Sequence, residues 1–359
     1  MSKKIGILTS GGDCAGLNAI IYSVVKNACD NYNWNVLGIK NGTAGLLCNP
    51  YDYINLTSEH LNSNLVRQGG TILGTTNKNN PFFFPTEDGK LLNRTKEIIE
   101  AYHQLKLDAL IGVGGDGSLK ILRDIAEQGK LNLVAIPKTI DNDIGQTEIS
   151  IGYETAVSIA TQALDQLQPT AASHSRVMIL EVMGRDAGHI ALAAGIAGAA
   201  DVILIPEIPY QFNKIASHIQ NIKQKGRNFA LIIVAEAVKT ELGEPLMTMH
   251  SGGSPTYGGI GYYISENISK LTDAETRVTI LGHVQRGAEA NAKDRIVASA
   301  FGVHAVNLIA QEKFDRLVIW KNRKVTDIPI YEGIQYYQTI NLEDTLVKTA
   351  RGLGICFGD

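Results

Sequence analysis

The sequence predicts an α/β fold with parallel sheets, and three observations lead to this prediction. Short runs of apolar, largely β-branched residues alternate with segments of helical length along the whole chain. The runs are continuously apolar, which is typical of strands that are buried on both faces, as in a parallel sheet. Many of the 36 glycines directly follow these runs and indicate strand-to-helix turns.

Eight apolar runs are predicted to be strands. They lie at residues 4–9, 107–113, 131–137, 176–182, 201–206, 229–237, 277–282 and 316–320. Six segments between them are predicted to be helices, at residues 16–30, 118–128, 152–167, 188–199, 258–270 and 292–311. Strands and helices in this number and alternation predict two doubly wound, Rossmann-like parallel-sheet lobes with helices on both sheet faces.

The boundary between the two lobes is not marked by a low-complexity linker or an internal repeat. We expect a first lobe of residues 1–152, rejoined by a segment near 285–335, and a second lobe of residues 153–284, completed by 336–359. Ligands of open parallel sheets bind beyond the carboxyl ends of strands. Residues that follow the runs are therefore the candidates for chemistry, and the active site is expected in the cleft between the lobes.

The composition of the chain excludes several classes of function. With 33 basic and 36 acidic residues the net charge is -3, so the basic excess of a nucleic-acid-binding protein is missing. No stretch approaches ~18 uninterrupted apolar residues, and the N-terminus lacks a signal-peptide core, so we expect no membrane span. The four cysteines have no metal-ligand spacing, which predicts reduced, buried thiols in a cytoplasmic protein.

Two glycine-rich segments follow strands of the first half. In TSGGDCAGLNA (9–19), Gly11 and Gly12 permit close approach of a ligand, and the next helix offers N–H groups to a phosphate. A plain tight turn has the same composition, so this segment alone is a weak indication.

The second segment, GGDGSLK (114–120), places Gly114, Gly115 and Gly117 in another turn of suitable size for a phosphate. Asp116 offers an oxygen ligand for Mg²⁺, or serves only as a helix cap, and Ser118 is expected to cap the helix that begins there. Two such turns at two strand ends favour a cradle for a nucleotide or polyphosphate.

The segment IPKTIDNDIG (136–145) brings a lysine and two carboxylates into one short turn. Pro137 is expected to end the strand, Lys138 reaches a phosphate, and Thr139 offers a hydroxyl and an N–H. One of Asp141 and Asp143 could accept a proton while the other holds metal-bound water, as phosphoryl transfer requires. The alternative, that one aspartate forms an Asx turn, explains one acid but not both acids and the lysine.

Three clusters follow strands of the second half. VMGRDAGHIA (182–191) places Arg185 at a glycine turn, and VAEAV (234–238) leaves Glu236 at the end of an apolar strand, where an acid needs a polar partner. GHVQRG (282–287) presents His283 and Arg286. Together with Arg176 and Arg277, this last cluster predicts an anion site, although arginines taken singly are more often solvated or ion-paired.

The motifs together resemble those of the phosphofructokinase family. The matching segments are GILTSGGD, GGDGS, PKTIDND, MGRDAGHIA, ETRVTILGHVQRG and the closing GICFGD, in family order across nearly the whole chain. The resemblance implies a Mg²⁺-dependent glycolytic kinase that phosphorylates the 1-hydroxyl of fructose 6-phosphate. It also implies a homo-oligomer, a dimer or a tetramer, in which a neighbouring subunit completes the site.

The resemblance assigns roles to individual residues. Asp141 corresponds to the base, with Thr139 and Arg185 also catalytic, and Asp116 and Asp143 correspond to the metal ligands. The ATP-binding positions in the first lobe are Gly12, Asn77, Lys78, Gly114, Gly115, Asp116, Gly117 and Ser118. The sugar-phosphate positions, mainly in the second lobe, are Thr139, Ile140, Asp141, Arg176, Met183, Gly184, Arg185, Glu236, Arg277, His283, Val284, Gln285 and Arg286, with Arg176 and Arg277 reaching the neighbour's site.

The phosphoryl donor is indicated by two positions that give opposite signals. Gly117 leaves room for a nucleotide, whereas the aspartate typical of pyrophosphate enzymes would repel its α-phosphate. Lys138 is typical of pyrophosphate enzymes. The steric argument decides for ATP, and the pair resembles the ATP-using members of the mixed-substrate branch.

Further alternatives follow from the same comparison of motifs. A pyrophosphate-dependent enzyme of the same fold is the nearest one, and a non-catalytic regulatory subunit is a second. A lipid or dinucleotide kinase should lack PKTIDND and GHVQRG. The segment LGTTNKNNPF (73–82) departs from the family because Asn77 and Lys78 stand where many members have an arginine.

Overall fold

Two units of the chain each contain a sheet. The structure, a computed structural model, describes residues 2–58, 61–86, 88–249 and 255–359. Unit 1 comprises Met1–Thr155 and Arg286–Tyr337, and unit 2 comprises Ala156–Gln285 and Gln338–Asp359.

The strands are β1 (Lys4–Thr9), β2 (Asn35–Ile39), β3 (Tyr53–Leu56), β4 (Phe84–Pro85), β5 (Leu91–Leu92), β6 (Ala109–Gly114), β7 (Leu133–Thr139), β8 (Ile151–Gly152), β9 (Val177–Val182), β10 (Val202–Leu204), β11 (Ala230–Ala235), β12 (Met247–Thr248), β13 (Thr256–Tyr257), β14 (Thr276–Ile280), β15 (Arg316–Lys321) and β16 (Lys324–Pro329).

The α-helices are α1 (Leu17–Lys26), α2 (Thr95–Gln104), α3 (Asp116–Gly129), α4 (Tyr153–His174), α5 (His189–Ala197), α6 (Phe212–Gln224), α7 (Ile260–Thr272), α8 (Val284–Gly287), α9 (Ala292–Ala310), α10 (Ile330–Gln335) and α11 (Thr345–Gly352). Short 3₁₀ and π turns add Asn27–Asn31, Gly42–Leu46, Ser63–Val66 and Pro81–Phe83.

The sheet of unit 1 has the strand order β16-β15-β7-β6-β1-β2-β3, with β8 paired to β7. Its centre is parallel, as the continuous apolar runs predicted. The edge strands β3 and β16 are antiparallel. The sequence analysis did not predict these two strands, since nearly all their residues are exposed or only partly buried and they carry no continuous apolar run.

The sheet of unit 2 has the order β10-β11-β9-β14 and is parallel throughout. All residues of β9 and β11 are buried, whereas β14 is partly exposed along its whole length. The expectation that the 277–282 run is buried on both faces was therefore wrong for this chain. The reason is its place at the sheet edge, where β9 is its only strand neighbour among the described residues.

The strand that ends in the PKTIDND motif is longer than expected. Pro137 does not end β7, which continues through Lys138 to Thr139. Proline lacks an N–H but can still occupy a strand where pairing on that side ceases. Here Pro137 is opposite the last residue of β6, and the next two residues pair with β8 instead. This change of partner carries the chain two residues further before the acidic loop begins.

A buried carboxylate in unit 1 fixes the start of α4. Asp294 is 0% exposed and accepts hydrogen bonds from the N–H of Gly152 (3.0 Å) and from both the N–H (2.8 Å) and the hydroxyl (2.5 Å) of Thr155. Burial raises the pKa of Asp294, while these hydrogen bonds lower it. The first turn of α4 is thereby tied to the first turn of α9, although 139 residues separate Thr155 from Asp294.

The cysteines differ in exposure. Cys14 is fully buried, Cys29 and Cys356 are half-buried, and Cys48 is exposed, so the expectation of burial was wrong for Cys48. None of the helices in the described ranges has the length and apolar character that crossing a membrane requires.

Native alkylation should distinguish two of these thiols. Burial raises the pKa of Cys14 to about 12, so at pH 8 only about one thiol in 10⁴ is ionised, and its sulfur is covered by protein. We expect iodoacetamide at pH 8 to label Cys48 and to leave Cys14 unlabelled until a denaturant is added, as read by peptide mass spectrometry. Equal labelling of both residues in the native protein would contradict the burial described for Cys14.

Candidate active site

Three of the predicted segments meet at one edge of the unit 1 sheet. β1, β6 and β7 are parallel neighbours, so their carboxyl ends lie side by side. Thr9 pairs with Val113, and Gly114 pairs with Pro137. The two glycine turns and the acidic loop therefore begin at the same edge, as expected for a ligand site of an open parallel sheet.

The first glycine turn is held by a neighbouring loop. Gly11 has φ +85, a left-handed conformation that favours glycine. Its N–H donates to Thr76 O (3.0 Å), and its carbonyl accepts from the Thr75 hydroxyl (2.7 Å). Helix α1 begins at Leu17, one residue after its predicted start, and the expectation that its first N–H groups serve a phosphate at this turn stays a prediction. The polar groups offered by this turn are those of the turn itself.

The second glycine turn leads directly into α3. The helix begins at Asp116 after Gly115, and no side chain caps it, so the prediction that Ser118 is the cap was wrong. Ser118 is the third residue of the helix, and its hydroxyl would be 2.9 Å from a Cβ added to Gly11, so the two glycine turns are in contact. The first-turn N–H groups of α3 provide an anion-binding end.

Gly117 is the most open position of this turn. A Cβ added to it would meet no heavy atom within 4 Å, and its φ lies outside the left-handed region. Asn77 and Lys78 are exposed and lie next in the chain to Thr76, which binds the first turn. Thus the structure places these donor-site candidates at the rim of the glycine turns.

Lys138 points at the first glycine turn. Its ammonium donates to the carbonyl of Gly12, and the side chain is 3% exposed. Burial lowers the pKa of Lys138, and the negative charges of Asp141 and Asp13 are among the influences that raise it. Arg286 donates to the carbonyl of Asp13 (3.1 Å), so two cations bind successive carbonyls of one turn.

The acidic loop is buried, and a hydroxyl orients its first acid. Asp141 is 5% exposed and Asp143 2%. Thr139 donates its hydroxyl hydrogen to Asp141 Oδ2 (3.1 Å) and accepts from the Asp141 N–H (3.1 Å). Ile140, between Thr139 and Asp141, is fully buried.

A second set of candidates meets at the carboxyl edge of the unit 2 sheet, beyond β9, β11 and β14. Glu236 accepts from the N–H groups of Gly184 (3.2 Å) and Arg185 (3.0 Å). The Gln285 side chain, 0% exposed, accepts from the Met183 N–H (2.8 Å). The polar partner that the sequence required for Glu236 is thus, in part, the backbone of the 183–185 turn.

The guanidinium of Arg185 lies at the surface of this cluster. Arg185 has φ +52, and its Nε lies 3.6 Å from the carboxylate of Asp186, at about half exposure for both side chains. Asp186 also accepts a hydrogen bond from the hydroxyl of Tyr257 (2.6 Å). This hydrogen bond, together with burial, raises the pKa of Tyr257 to about 12. His283 and Val284 are exposed at the end of β14.

Arg176 and Arg277 lie at the amino ends of their strands, opposite the carboxyl ends where the other candidates of this sheet lie. Arg176 directly precedes β9, and Arg277 is the second residue of β14. A six-residue strand spans roughly 17–20 Å, so within one chain the two arginines are not brought together with His283 or the 183–185 turn. Both instead bind the carboxylate of Glu275, Arg176 at 2.9 Å.

Glu275 was not identified from the sequence. The hydrogen bond from Arg176 is the largest cause that lowers the pKa of its carboxyl, and Arg277 adds to it. In the sequence, the only indication of its role was its place as the first residue of the ETRVTILG motif, two residues before Arg277. It lies 99 residues from Arg176. Only the pairing of β14 with β9 shows that one carboxylate serves both arginines.

Comparison with known proteins identifies the family. The model of the phosphofructokinase family matches residues 4–309. Among curated proteins, ATP-dependent 6-phosphofructokinase 1 of Synechocystis sp. is 60% identical over 357 residues, covering 99% of both chains. The protein of the same name from Nostoc sp. is 60% identical over 358 residues, covering 100% of this chain and 99% of the relative.

Solved structures show the same fold. Phosphofructokinase from Saccharomyces cerevisiae matches with a TM-score of 0.78 and 28% identity, over 99% of this chain and 47% of that chain. Pyrophosphate-dependent phosphofructokinase from Nitrosospira multiformis matches with a TM-score of 0.82 and 20% identity, over 100% of this chain and 93% of that chain. The second likeness bears on the fold alone.

The parallel sheets, the glycine turns, the acidic loop and these full-length matches agree with one another. The chain belongs to the phosphofructokinase family.

Proposed function

We propose that this chain is an ATP-dependent 6-phosphofructokinase of glycolysis. It transfers the γ-phosphoryl group of ATP to the 1-hydroxyl of fructose 6-phosphate, giving fructose 1,6-bisphosphate and ADP. The observation that carries the proposal is 60% identity over the full chain to two curated enzymes of that name. The buried acidic loop lies beside two glycine turns, so carboxylates and phosphate-binding N–H groups, which such a transfer needs, occur at one place in the fold.

The donor is proposed to bind unit 1. The candidates share the carboxyl edge of β1, β6 and β7 or the loop that borders it. They are Gly12, Asn77, Lys78, Gly114, Gly115, Asp116, Gly117 and Ser118. Turn N–H groups and the first turn of α3 favour phosphate oxygens, and the open space at Gly117 accommodates the nucleotide beyond them.

Asp141 is proposed as the general base. As the 1-hydroxyl oxygen forms its bond to the γ-phosphorus, the bond to the β-γ bridging oxygen breaks and the hydroxyl proton passes to the Asp141 carboxylate. The hydroxyl of Thr139 holds Oδ2 of that carboxylate and fixes its orientation. Arg185 is proposed to stabilise the charge on the transferring group, since its guanidinium is about half exposed.

Mg²⁺ is the proposed cofactor, held by Asp116 and Asp143. No cluster of three or more His, Cys, Asp or Glu side chains suited to a metal occurs among the described residues, so an all-protein cage is not expected there. The donor set fits Mg²⁺, which proteins bind through one or two carboxylates together with substrate phosphates. When bound, the ion neutralises charge on the donor phosphates.

The acceptor is proposed to bind mainly the carboxyl edge of the unit 2 sheet. The candidates there are Met183, Gly184, Arg185, Glu236, His283, Val284 and Gln285. The chain also offers Thr139, Ile140, Asp141 and Arg286 from unit 1. Since Glu236 and Gln285 bind the 183–185 backbone, we propose that they shape this turn as well as border the sugar.

A homo-oligomer, a dimer or a tetramer, is proposed to complete each site. Arg176 and Arg277 lie at the amino ends of their strands, which supports the assignment that they serve the 6-phosphate of a neighbouring subunit. The partly exposed edge strand β14, whose Ile280 is 45% exposed, is a suitable contact surface together with the following Val284, which is 60% exposed. The cell compartment proposed for this glycolytic enzyme is the cytoplasm.

Pyrophosphate is the alternative donor, and Lys138 is the residue that favours it by resemblance. In this chain the ammonium of Lys138 binds the Gly12 carbonyl, so its charge has a partner within the fold. Gly117, by contrast, faces open space. This contrast supports ATP and leaves Lys138 compatible with it.

A coupled assay with fructose 6-phosphate and Mg²⁺ tests the proposal, with either ATP or pyrophosphate as donor. We expect turnover with ATP and little with pyrophosphate. Asp141→Asn, which keeps the size of the side chain, should reduce kcat by ~10²–10⁴-fold because proton removal is lost. Binding of fructose 6-phosphate by this variant, measured by calorimetry, should remain.

Turnover with pyrophosphate alone would refute the donor assignment. Turnover with neither donor would favour the regulatory-subunit alternative. If Asp141→Asn retained wild-type turnover, another group would have to be the base.

Gly117→Asp tests the donor pocket. An aspartate fits the fold at this exposed first-turn position, since a Cβ there meets nothing within 4 Å and acids are favourable at a helix N-terminus. We expect kcat/KM for ATP to fall about tenfold or more through repulsion of the nucleotide phosphates. Steady-state kinetics with varied ATP measures the change.

Gly117→Asn is the matched control, because it has the same size without the charge. It should reduce kcat/KM for ATP less than the aspartate does. Equal effects of the two variants would assign the role of Gly117 to space alone, and no effect of either would remove it from the donor site.

A further inference from the structure

Asn142 stands between the two acids of the loop in an unusual backbone conformation. Its φ is +53, in the left-handed region that asparagine tolerates better than most side chains. The residue is 6% exposed. A loop that turns at this point directs Asp141 and Asp143 by its backbone geometry, so whatever fixes Asn142 also fixes the acids.

The side chain of Asn142 is held at both ends of its amide. Its Oδ1 accepts from the N–H of Ser150 (2.8 Å), and its Nδ2 donates to the carbonyl of Glu148 (3.3 Å). The segment 148–150 thus provides the partners that keep the turn closed.

Ser150 is 0% exposed and reaches both sides of Asp141. Its hydroxyl oxygen lies 2.8 Å from the carbonyl of Thr139 and 3.0 Å from Oδ1 of Asn142, so its single hydrogen has two acceptors within range. Thr139, the last residue of β7, and Asn142 are therefore joined through one buried hydroxyl, and the chain between them carries Asp141.

The far side of this loop is attached to the sheet of unit 1. The N–H of Glu148 donates to Trp320 O (2.9 Å), and the Thr147 hydroxyl accepts from the Trp320 N–H (3.1 Å). Beyond Ser150, β8 pairs with the last two residues of β7. Ser150 is consequently held between two fixed segments, and it transmits their position to the acidic loop.

Resting on the proposed function, we propose that Asn142 and Ser150 are positioning residues for phosphoryl transfer. They form a clasp, defined as these two side chains with their hydrogen bonds to Thr139 and Glu148, that holds the carboxylate of Asp141 in reacting geometry. The polar groups of both side chains are hydrogen-bonded to groups of the chain itself, so both residues act through Asp141.

The clasp predicts a specific kinetic effect. A displacement of a reacting group by about 1 Å reduces turnover by as much as 10²-fold. Substrate binding draws on many other contacts. Loss of the clasp should therefore reduce kcat and leave KM for both substrates nearly unchanged.

Four variants separate positioning from folding. Asn142→Gly keeps the left-handed backbone accessible and removes only the side-chain hydrogen bonds. Ser150→Ala removes the hydroxyl, and Ser150→Thr restores it. Ser23→Ala is the matched control, since Ser23 is 5% exposed and also donates to a backbone carbonyl of unit 1 (2.9 Å, Ile20 O), in α1.

The wild type and these variants are compared with fructose 6-phosphate, ATP and Mg²⁺, with urea unfolding midpoints measured in parallel. We expect kcat to fall about 10–100-fold in Asn142→Gly and Ser150→Ala, with KM within about threefold. Ser150→Thr should recover most of the rate. Ser23→Ala should keep the wild-type kcat even where its unfolding midpoint falls as much as that of Ser150→Ala.

Unchanged kcat in both Asn142→Gly and Ser150→Ala would overturn the proposal, as would a rise in KM in proportion to the loss of rate. So would a loss of rate in Ser23→Ala equal to that in Ser150→Ala. Absence of wild-type turnover with ATP is a different result, because it would refute the proposed function before any variant is compared.

Discussion

The burial of two carboxylates in one short loop is the constraint on which the rest of the unit 1 site depends. Asp141 and Asp143 are each at most 5% exposed, and buried carboxylates require hydrogen-bond or charge partners within the fold. The fold meets this constraint with a hydroxyl on Asp141, with the cation of Lys138 nearby, and with a backbone that is fixed on both sides of the loop. Each of these features follows from the extension of β7 beyond Pro137.

Lys138 shows why a residue type alone does not determine a donor. Taken with the sequence motif, it favours pyrophosphate by resemblance, because lysine at this position is typical of pyrophosphate enzymes. In the structure its ammonium reaches across to the first glycine turn and binds the Gly12 carbonyl. A side chain at the end of one strand thereby holds the turn that follows another strand. Under the proposed function, donor selection would then depend chiefly on the space at Gly117.

Most buried strands and most of the longer helices could be predicted from the sequence, because continuous apolarity and glycine punctuation are local signals. The buried strand β2 and the helices α2 and α6 were not predicted. All eight predicted strands and all six predicted helices are present. These local signals failed where a strand's end or its exposure depends on a partner that is distant in the sequence. Pro137 remains in a strand because β8 takes over the pairing, and β14 is partly exposed because it lies at a sheet edge.

The same reason explains which residues around the site were missed. Motif positions were visible because phosphate turns and paired acids have characteristic spacings. Asn142, Ser150, Asp294 and Glu275 have no such spacing, since their roles depend on partners brought near by the fold. For Asp294 and Glu275 those partners are about a hundred residues or more away. A single sequence identifies chemistry more readily than the hydrogen bonds that orient it.

The most direct measurement of the central claim is a crystal structure of the protein with Mg²⁺, ADP and fructose 1,6-bisphosphate. The account predicts that the oxygen joining C1 to its phosphate lies within hydrogen-bonding distance, about 2.6–3.2 Å, of the Asp141 carboxylate. It also predicts that the acidic loop keeps the conformation described here. A product bound with that oxygen beside a different base, and with Asp141 still covered by protein, would contradict it.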